Sequence, residues 1–114
     1  MEAYKNFEAL NDRGKYIFDI VQKKGPITKS ELIDITKIKL TTLNRDIQIL
    51  IDKKIIVETD IGESTGGRKP SLYDVNSSEF YIIGIDISRT YTKIVITNLK
   101  LKIIKERYYL FKPL

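Results

Sequence analysis

The chain contains no cysteine and no histidine. Their absence excludes disulfides, thiol nucleophiles, Cys/His zinc sites and any Ser-His-Asp triad. Proline and glycine are sparse, three and six among 114 residues, beside 42% hydrophobic and 31% charged residues. Such a composition describes a folded chain, not a disordered one. No window holds the ~18 consecutive apolar residues that a membrane span needs. The start, Met1-Glu2-Ala3-Tyr4-Lys5, lacks the basic-then-apolar order of a signal peptide. A soluble cytoplasmic protein with no membrane partner is the expectation.

A net charge of +5 suggests an acidic partner, but the charge is unevenly placed. Residues 1–75 hold 13 Lys/Arg against 12 Asp/Glu, a net of +1, and residues 76–114 hold 7 against 3, a net of +4. Any argument for nucleic acid must therefore rest on local clusters in the first part, where phosphates are met one at a time.

Apolar Tyr4, Phe7 and Leu10, spaced by three, allow a short helical lead-in. Asn11 is a good N-cap for a first helix over Asp12 to Lys24, whose stripe is Tyr16, Ile17, Ile20 and Val21. Lys23-Lys24-Gly25-Pro26 closes it with cations, a capping glycine and a breaker. Thr28-Lys29-Ser30-Glu31 reads as a capping box opening a second, short helix to Thr36, with Leu32 and Ile35 inward. After a turn over Lys37, Ile38 and Lys39, a third helix places Leu40, Leu43, Ile47, Leu50 and Ile51 on one face. Two helices separated by such a turn have helix-turn-helix spacing.

Ile55-Ile56-Val57 then reads as a strand, residues 62–71 as a polar glycine-rich loop, and Leu72 to Val75 as the returning strand. A strand, loop and strand directly after a helix-turn-helix describe a wing. Asn76-Ser77-Ser78 is the expected linker. Beyond it, Phe80 to Ile87 has the pattern of a strand buried on both faces. Tyr91 to Thr97 and Ile103 to Leu110 complete a three-stranded meander, turned at Asn98-Leu99-Lys100.

The outward face of the third helix carries Thr41, Thr42, Asn44 and Arg45, with Gln48 at its edge. These side chains can meet base edges: Arg pairs with guanine, Asn and Gln with adenine, Thr with a polar group or a thymine methyl. Recognition helices use their N-terminal part in this way, here within about residues 41–53. Lys37 and Lys39 stand just ahead, placed for phosphates. In the loop, Gly66 and Gly67 allow close backbone approach and Arg68 and Lys69 supply charge, a combination suited to a minor groove. A solvated helix face, a mobile hairpin tip and a winged helix that binds protein are the plainer alternatives. No helix opens after the glycines, so a nucleotide P-loop is poorly supported.

The string Ser64-Thr65-Gly66-Gly67-Arg68-Lys69-Pro70, then Leu72 and Val75-Asn76, then Ile83-Gly84-Ile85-Asp86-Ile87-Ser88-Arg89-Thr90, resembles the ROK family of repressors and sugar kinases, in its xylose-repressor-like branch. The resemblance spans roughly Leu10 to Leu110. It implies an α+β chain: a three-helix winged helix-turn-helix over residues 1–76, then residues 77–114 as the truncated start of a sugar-kinase-like domain of RNase H-like, actin-like ATPase fold. It further implies a homo-oligomeric repressor of sugar-utilisation genes with a double-stranded DNA operator, and a sugar effector held only by the full-length protein.

In the family's kinases, the segment matching Asp86 to Thr90 is the first ATP phosphate loop, with glycines where this chain has Ser88 and Arg89. Asp86, Ser88, Arg89 and Thr90 are therefore expected to form a vestigial phosphate loop. The sugar site, catalytic base and zinc motif of the family would all lie past residue 114. No enzyme activity and no cofactor are expected. The alternative is the N-terminal part of a sugar kinase.

Overall fold

The computed structural model describes residues 2–59 and 70–111, with side chains from Lys5 onward. Among them are four helices and two small antiparallel sheets, an α+β arrangement. The chain divides into two compact units, residues 1–76 and 77–114.

In the first unit α1 spans Glu2–Glu8, α2 Asp12–Lys24, α3 Lys29–Thr36 and α4 Leu40–Asp52, followed by β1, Ile56–Thr59, and β2, Leu72–Val75. The lead-in is thus a formed helix, and Phe7 meets Phe18 of α2 edge-on at 5.2 Å. Asn11 caps α2 by accepting from the Gly14 amide at 2.7 Å, and Thr28 caps α3 by accepting from the Glu31 amide at 3.2 Å. The short α3–α4 connection turns at Lys37, which adopts left-handed backbone at φ 59°. It is tied down by Thr36, whose hydroxyl donates to the Leu32 carbonyl and accepts from the Ile38 amide.

β1 pairs with β2 antiparallel, Ile56 opposite Val75 and Thr59 opposite Leu72. Ile27 adds a bridge on the far side of β2, exchanging backbone bonds with Tyr73 at 2.9 and 2.8 Å. Periodicity could not reveal this third partner, because a single bridging residue has no repeat.

The core comprises Ile17, Val21, Ile27, Leu32, Leu43, Leu50, Ile55 and Ile56, all fully buried. At about 1.5–3 kcal/mol for each side chain removed from water, they dominate the unit's stability. α4 is the hub, packing against α2, α3 and β1.

Several expected positions differ. Leu40 and Ile35 are exposed, at 51% and 40%, and Ile51 is half-buried, whereas Asp46 is buried. The buried arc of α4 is therefore rotated toward Asp46, because α2 and β1 as well as α3 cover that side. Asn76 is no linker residue: it is buried, its amide donating to the Ile55 carbonyl at 2.9 Å and its side chain to the Lys54 carbonyl at 2.8 Å.

Gly25 caps α2, yet its backbone is extended (φ −66°, ψ 154°), not left-handed. Its lack of a side chain answers to crowding instead: a Cβ there would lie 2.5 Å from the Val21 carbonyl oxygen and 2.6 Å from Asp74 Oδ1. Gly25→Ala should accordingly cost about 1–3 kcal/mol in urea unfolding, the usual penalty of overpacking. An unchanged midpoint would refute this account of the glycine.

In the second unit β3 (Tyr81–Ile87), β4 (Tyr91–Asn98) and β5 (Ile103–Leu110) form an antiparallel meander, with a bulge where Ile96 and Thr97 meet β5. Asn98 shapes the second turn, its side-chain oxygen accepting from the amides of Lys100 and Lys102. The register sets Ile83 opposite Ile96 and Ile85 opposite Ile94, so one face is a plate of isoleucine. All seven β3 residues are exposed. The continuous apolar run of β3 is the pattern of a covered strand, and here its faces are open. No other described element of this unit lies over the sheet, and an apolar run reports only a capacity to be covered.

Candidate nucleic-acid interface

α4 has two chemically distinct sides. Leu43, Asp46, Ile47 and Leu50 are buried. Thr41, Asn44, Arg45 and Gln48 are exposed and Thr42 is half-buried, so the expected reading residues share the water-facing side of the helix's first turns. Lys37 and Lys39 are also exposed, in the turn that leads into it. Lys39 is the N-cap, makes no side-chain capping bond, and is followed by no acid in the first turn. The leading amides and helix dipole are thus left positive.

Among the described residues, none of Lys37, Lys39 and Arg45 is in an ion pair. Gln48 is engaged locally, its amide donating to Asp52 Oδ1 at 2.9 Å one turn on. To read a base it would exchange that exposed bond. Gly66, Gly67, Arg68 and Lys69 lie outside the described residues. The strands that carry their loop, β1 and β2, are formed, and β1 packs against α4.

The residue that sequence reasoning missed is Asp46. It is 3% exposed and accepts from Arg13 of α2 at both oxygens, Nη2 to Oδ1 at 3.0 Å and Nε to Oδ2. The hydrogen bond from Arg13, and then its charge beside Asp46, hold the guanidinium above its usual pKa. A signal was present: Asp46 falls three residues after Leu43 and four before Leu50, and an acid on a core arc demands a cation.

On the meander, Asp86, Ser88, Arg89 and Thr90 surround the β3–β4 turn. The Ser88 hydroxyl accepts from the amides of Thr90 (3.3 Å) and Tyr91 (3.1 Å) and lies 3.2 Å from the Tyr91 carbonyl oxygen, to which it can donate. Asp86 Oδ2 accepts from the Tyr91 phenol at 3.1 Å, and the Tyr91 ring stacks on Tyr108 at 5.3 Å. Lys93 pairs with Glu106 at 2.8 Å on the same face. The amides of Ser88, Thr90 and Tyr91 and one oxygen of the Asp86 carboxylate are thus engaged by the protein's own groups. Among the described residues no cluster of acids could hold a metal ion, and no helix is long and apolar enough to cross a membrane.

No family model matches the chain. It is 37% identical over 79 residues to the xylose repressor of Caldicellulosiruptor bescii, covering 69% of this chain and 19% of that protein. It is 27% identical over 94 residues to the xylose repressor of Bacillus subtilis, covering 82% and 24%. It is 24% identical over 93 residues to the DNA-binding transcriptional dual regulator NagC of Escherichia coli, covering 82% and 23%. The chain therefore spans about a quarter or less of the length of these curated relatives. Among solved structures, a ROK family transcriptional regulator, a homologue of the E. coli Mlc protein, superposes with a TM-score of 0.64 at 19% identity, over 86% of this chain and 25% of that one. The proteins that this chain resembles are thus transcriptional regulators. These similarities support a kinship of this chain with the ROK family, to which that solved regulator belongs.

One titration tests the meander's polar face. The bond to Asp86, followed by that carboxylate's charge and by burial, raises the Tyr91 pKa above the ordinary phenol value. The neutral phenol is favoured in the fold, so the contribution is whole below the unfolded value and fades as pH rises through the raised one. In a 13Cζ-tyrosine NMR titration Tyr91 should ionise above pH ~10, and Asp86→Asn should bring it back toward that value. A Tyr91 that titrates identically in both proteins would show that the bond is not made.

Proposed function

We propose that residues 1–76 are a winged helix-turn-helix that binds a double-stranded DNA operator, with residues 41–53 as recognition helix in the major groove. The carrying observation is the two-sidedness of α4: a buried arc locks the helix, and Thr41, Asn44 and Arg45 stand in water on its free side with Lys37 and Lys39 at its start. In this reading Arg45 addresses guanine, Thr41, Thr42, Asn44 and Gln48 address neighbouring base edges, and the two lysines hold phosphates. Gly66, Gly67, Arg68 and Lys69 form the wing tip in the minor groove. The name of the E. coli relative, a DNA-binding regulator, supports the assignment.

Residues 77–114 are, in the same proposal, the beginning of a sugar-kinase-like domain of actin-like ATPase fold. The whole protein would be a cytoplasmic, homo-oligomeric repressor of sugar-utilisation genes, with a sugar effector bound by the complete domain. The relatives named for xylose support that class of effector. The chain is a regulator and not an enzyme in this reading. Ser88 weighs against the kinase alternative, since its hydroxyl occupies amides that a phosphate loop must offer to nucleotide.

Fluorescence anisotropy with a duplex selected by the chain from a randomised library tests the interface. Arg45→Ala should lose about 1–3 kcal/mol on the selected duplex and relax the preference at one position. Lys39→Ala should weaken selected and scrambled duplexes alike and lower the salt slope by about one. If neither substitution changes affinity, α4 is not the interface.

A further inference from the structure

The buried arc of α4 contains a charge where packing alone would favour an apolar side chain. Asp46 is 3% exposed, and both its oxygens accept from the Arg13 guanidinium, which is itself 44% exposed. Arg13 stands in the first turn of α2, two residues after the capping Asn11. One helix therefore grips another through a planar, two-pronged contact placed directly behind the reading face.

A buried pair of this kind is a weak source of stability, because desolvation offsets most of the attraction. Its distinctive property is direction: a guanidinium fork engages a carboxylate in one plane. Apolar packing is more permissive, and cores accept altered side chains before they lose the fold. Beside Asp46, moreover, a cavity of about 90 Å³ opens between the start of α2 and α4, lined by Ala9, Leu10, Asn11, Gly14, Ile49 and Leu50. Apolar packing on that side is incomplete, and the fork spans the two helices there. A turn of α4 about its own axis by roughly 20° moves a side-chain tip at the helix surface by about 2 Å. That is enough to take a base-reading group out of hydrogen-bond range.

We infer that Arg13 and Asp46 are positioning residues that set the rotation of α4, and with it which bases Arg45 and Thr42 reach. Arg45 directly precedes Asp46, and Thr42 lies one turn before it on the same helix. The pair acts on sequence preference, while affinity for DNA in general comes from the lysines. The inference rests on the DNA-binding reading above.

The test uses the 114-residue chain, the duplex it selects from a randomised library, and a scrambled duplex of the same composition. The double substitution Arg13→Met/Asp46→Leu exchanges the pair for apolar groups of similar size. It should remain folded by circular dichroism and keep the wild-type affinity and salt slope on the scrambled duplex. Its preference for the selected duplex should fall about tenfold. Arg13→Lys keeps the charge without the fork and should lose part of that preference. A folded double variant with full preference overturns the inference, since the pair is then packing only. Should the double variant unfold, Arg13→Lys decides: full preference there overturns the inference, reduced preference with an unchanged salt slope supports it. A wild-type chain that shows no preference at all overturns instead the DNA-binding reading beneath it.

Discussion

Burial of Leu43, Ile47 and Leu50 on one side of α4 is the contact on which the rest of the first unit depends. α2, α3 and β1 each pack against this helix. Removing its apolar stripe would take away the one surface that all three share, and short helices have little stability apart from tertiary packing. The same burial leaves the opposite side in water, and a helix held on one side and free on the other can enter a groove without unfolding anything. The exposed side proposed for DNA is thus a by-product of the core.

The two units manage polar groups in opposite ways. In the first, polar groups close the joints of the core: Asn11 and Thr28 cap helices, Asn76 fastens the end of β2 to the turn before β1, and Asp46 is held by Arg13. In the second, one face of a small sheet is a plate of isoleucine and the other a network of Asp86, Tyr91, Lys93, Glu106 and Tyr108. A three-stranded sheet with exposed faces has little apolar burial of its own. Its polar face and the bonded turns at Ser88 and Asn98 therefore carry more of its local order.

Much of this was legible in the residues. Caps at Asn11 and Thr28 are local hydrogen bonds between neighbours in sequence, so their signals survive without tertiary information. The limits of α2 and α3 follow from such signals, and those of β2 and β5 from the turn residues ahead of them. Leu40 and Ile35 were misplaced because periodicity identifies a stripe without saying which edge its neighbours cover. Asp46 shows the same limit: its spacing from Leu43 and Leu50 puts it on the core arc, but the cation that lets it be buried there, Arg13, is 33 residues away. For the candidate interface, Thr41, Asn44, Arg45, Lys37 and Lys39 were visible as residue types, and their shared exposure came with the fold.

The sequence by itself determined which segments become helices and strands, where they are capped, and which residue types the proposed interface offers. Those properties are set by interactions within a few residues, which the chain carries whether or not it is folded. Only the tertiary structure decided the rotation of α4, the strandlike partnership of Ile27 with Tyr73 and the crowding at Gly25. Each of these depends on which distant surface arrives against the element, and burial is a property of both surfaces together.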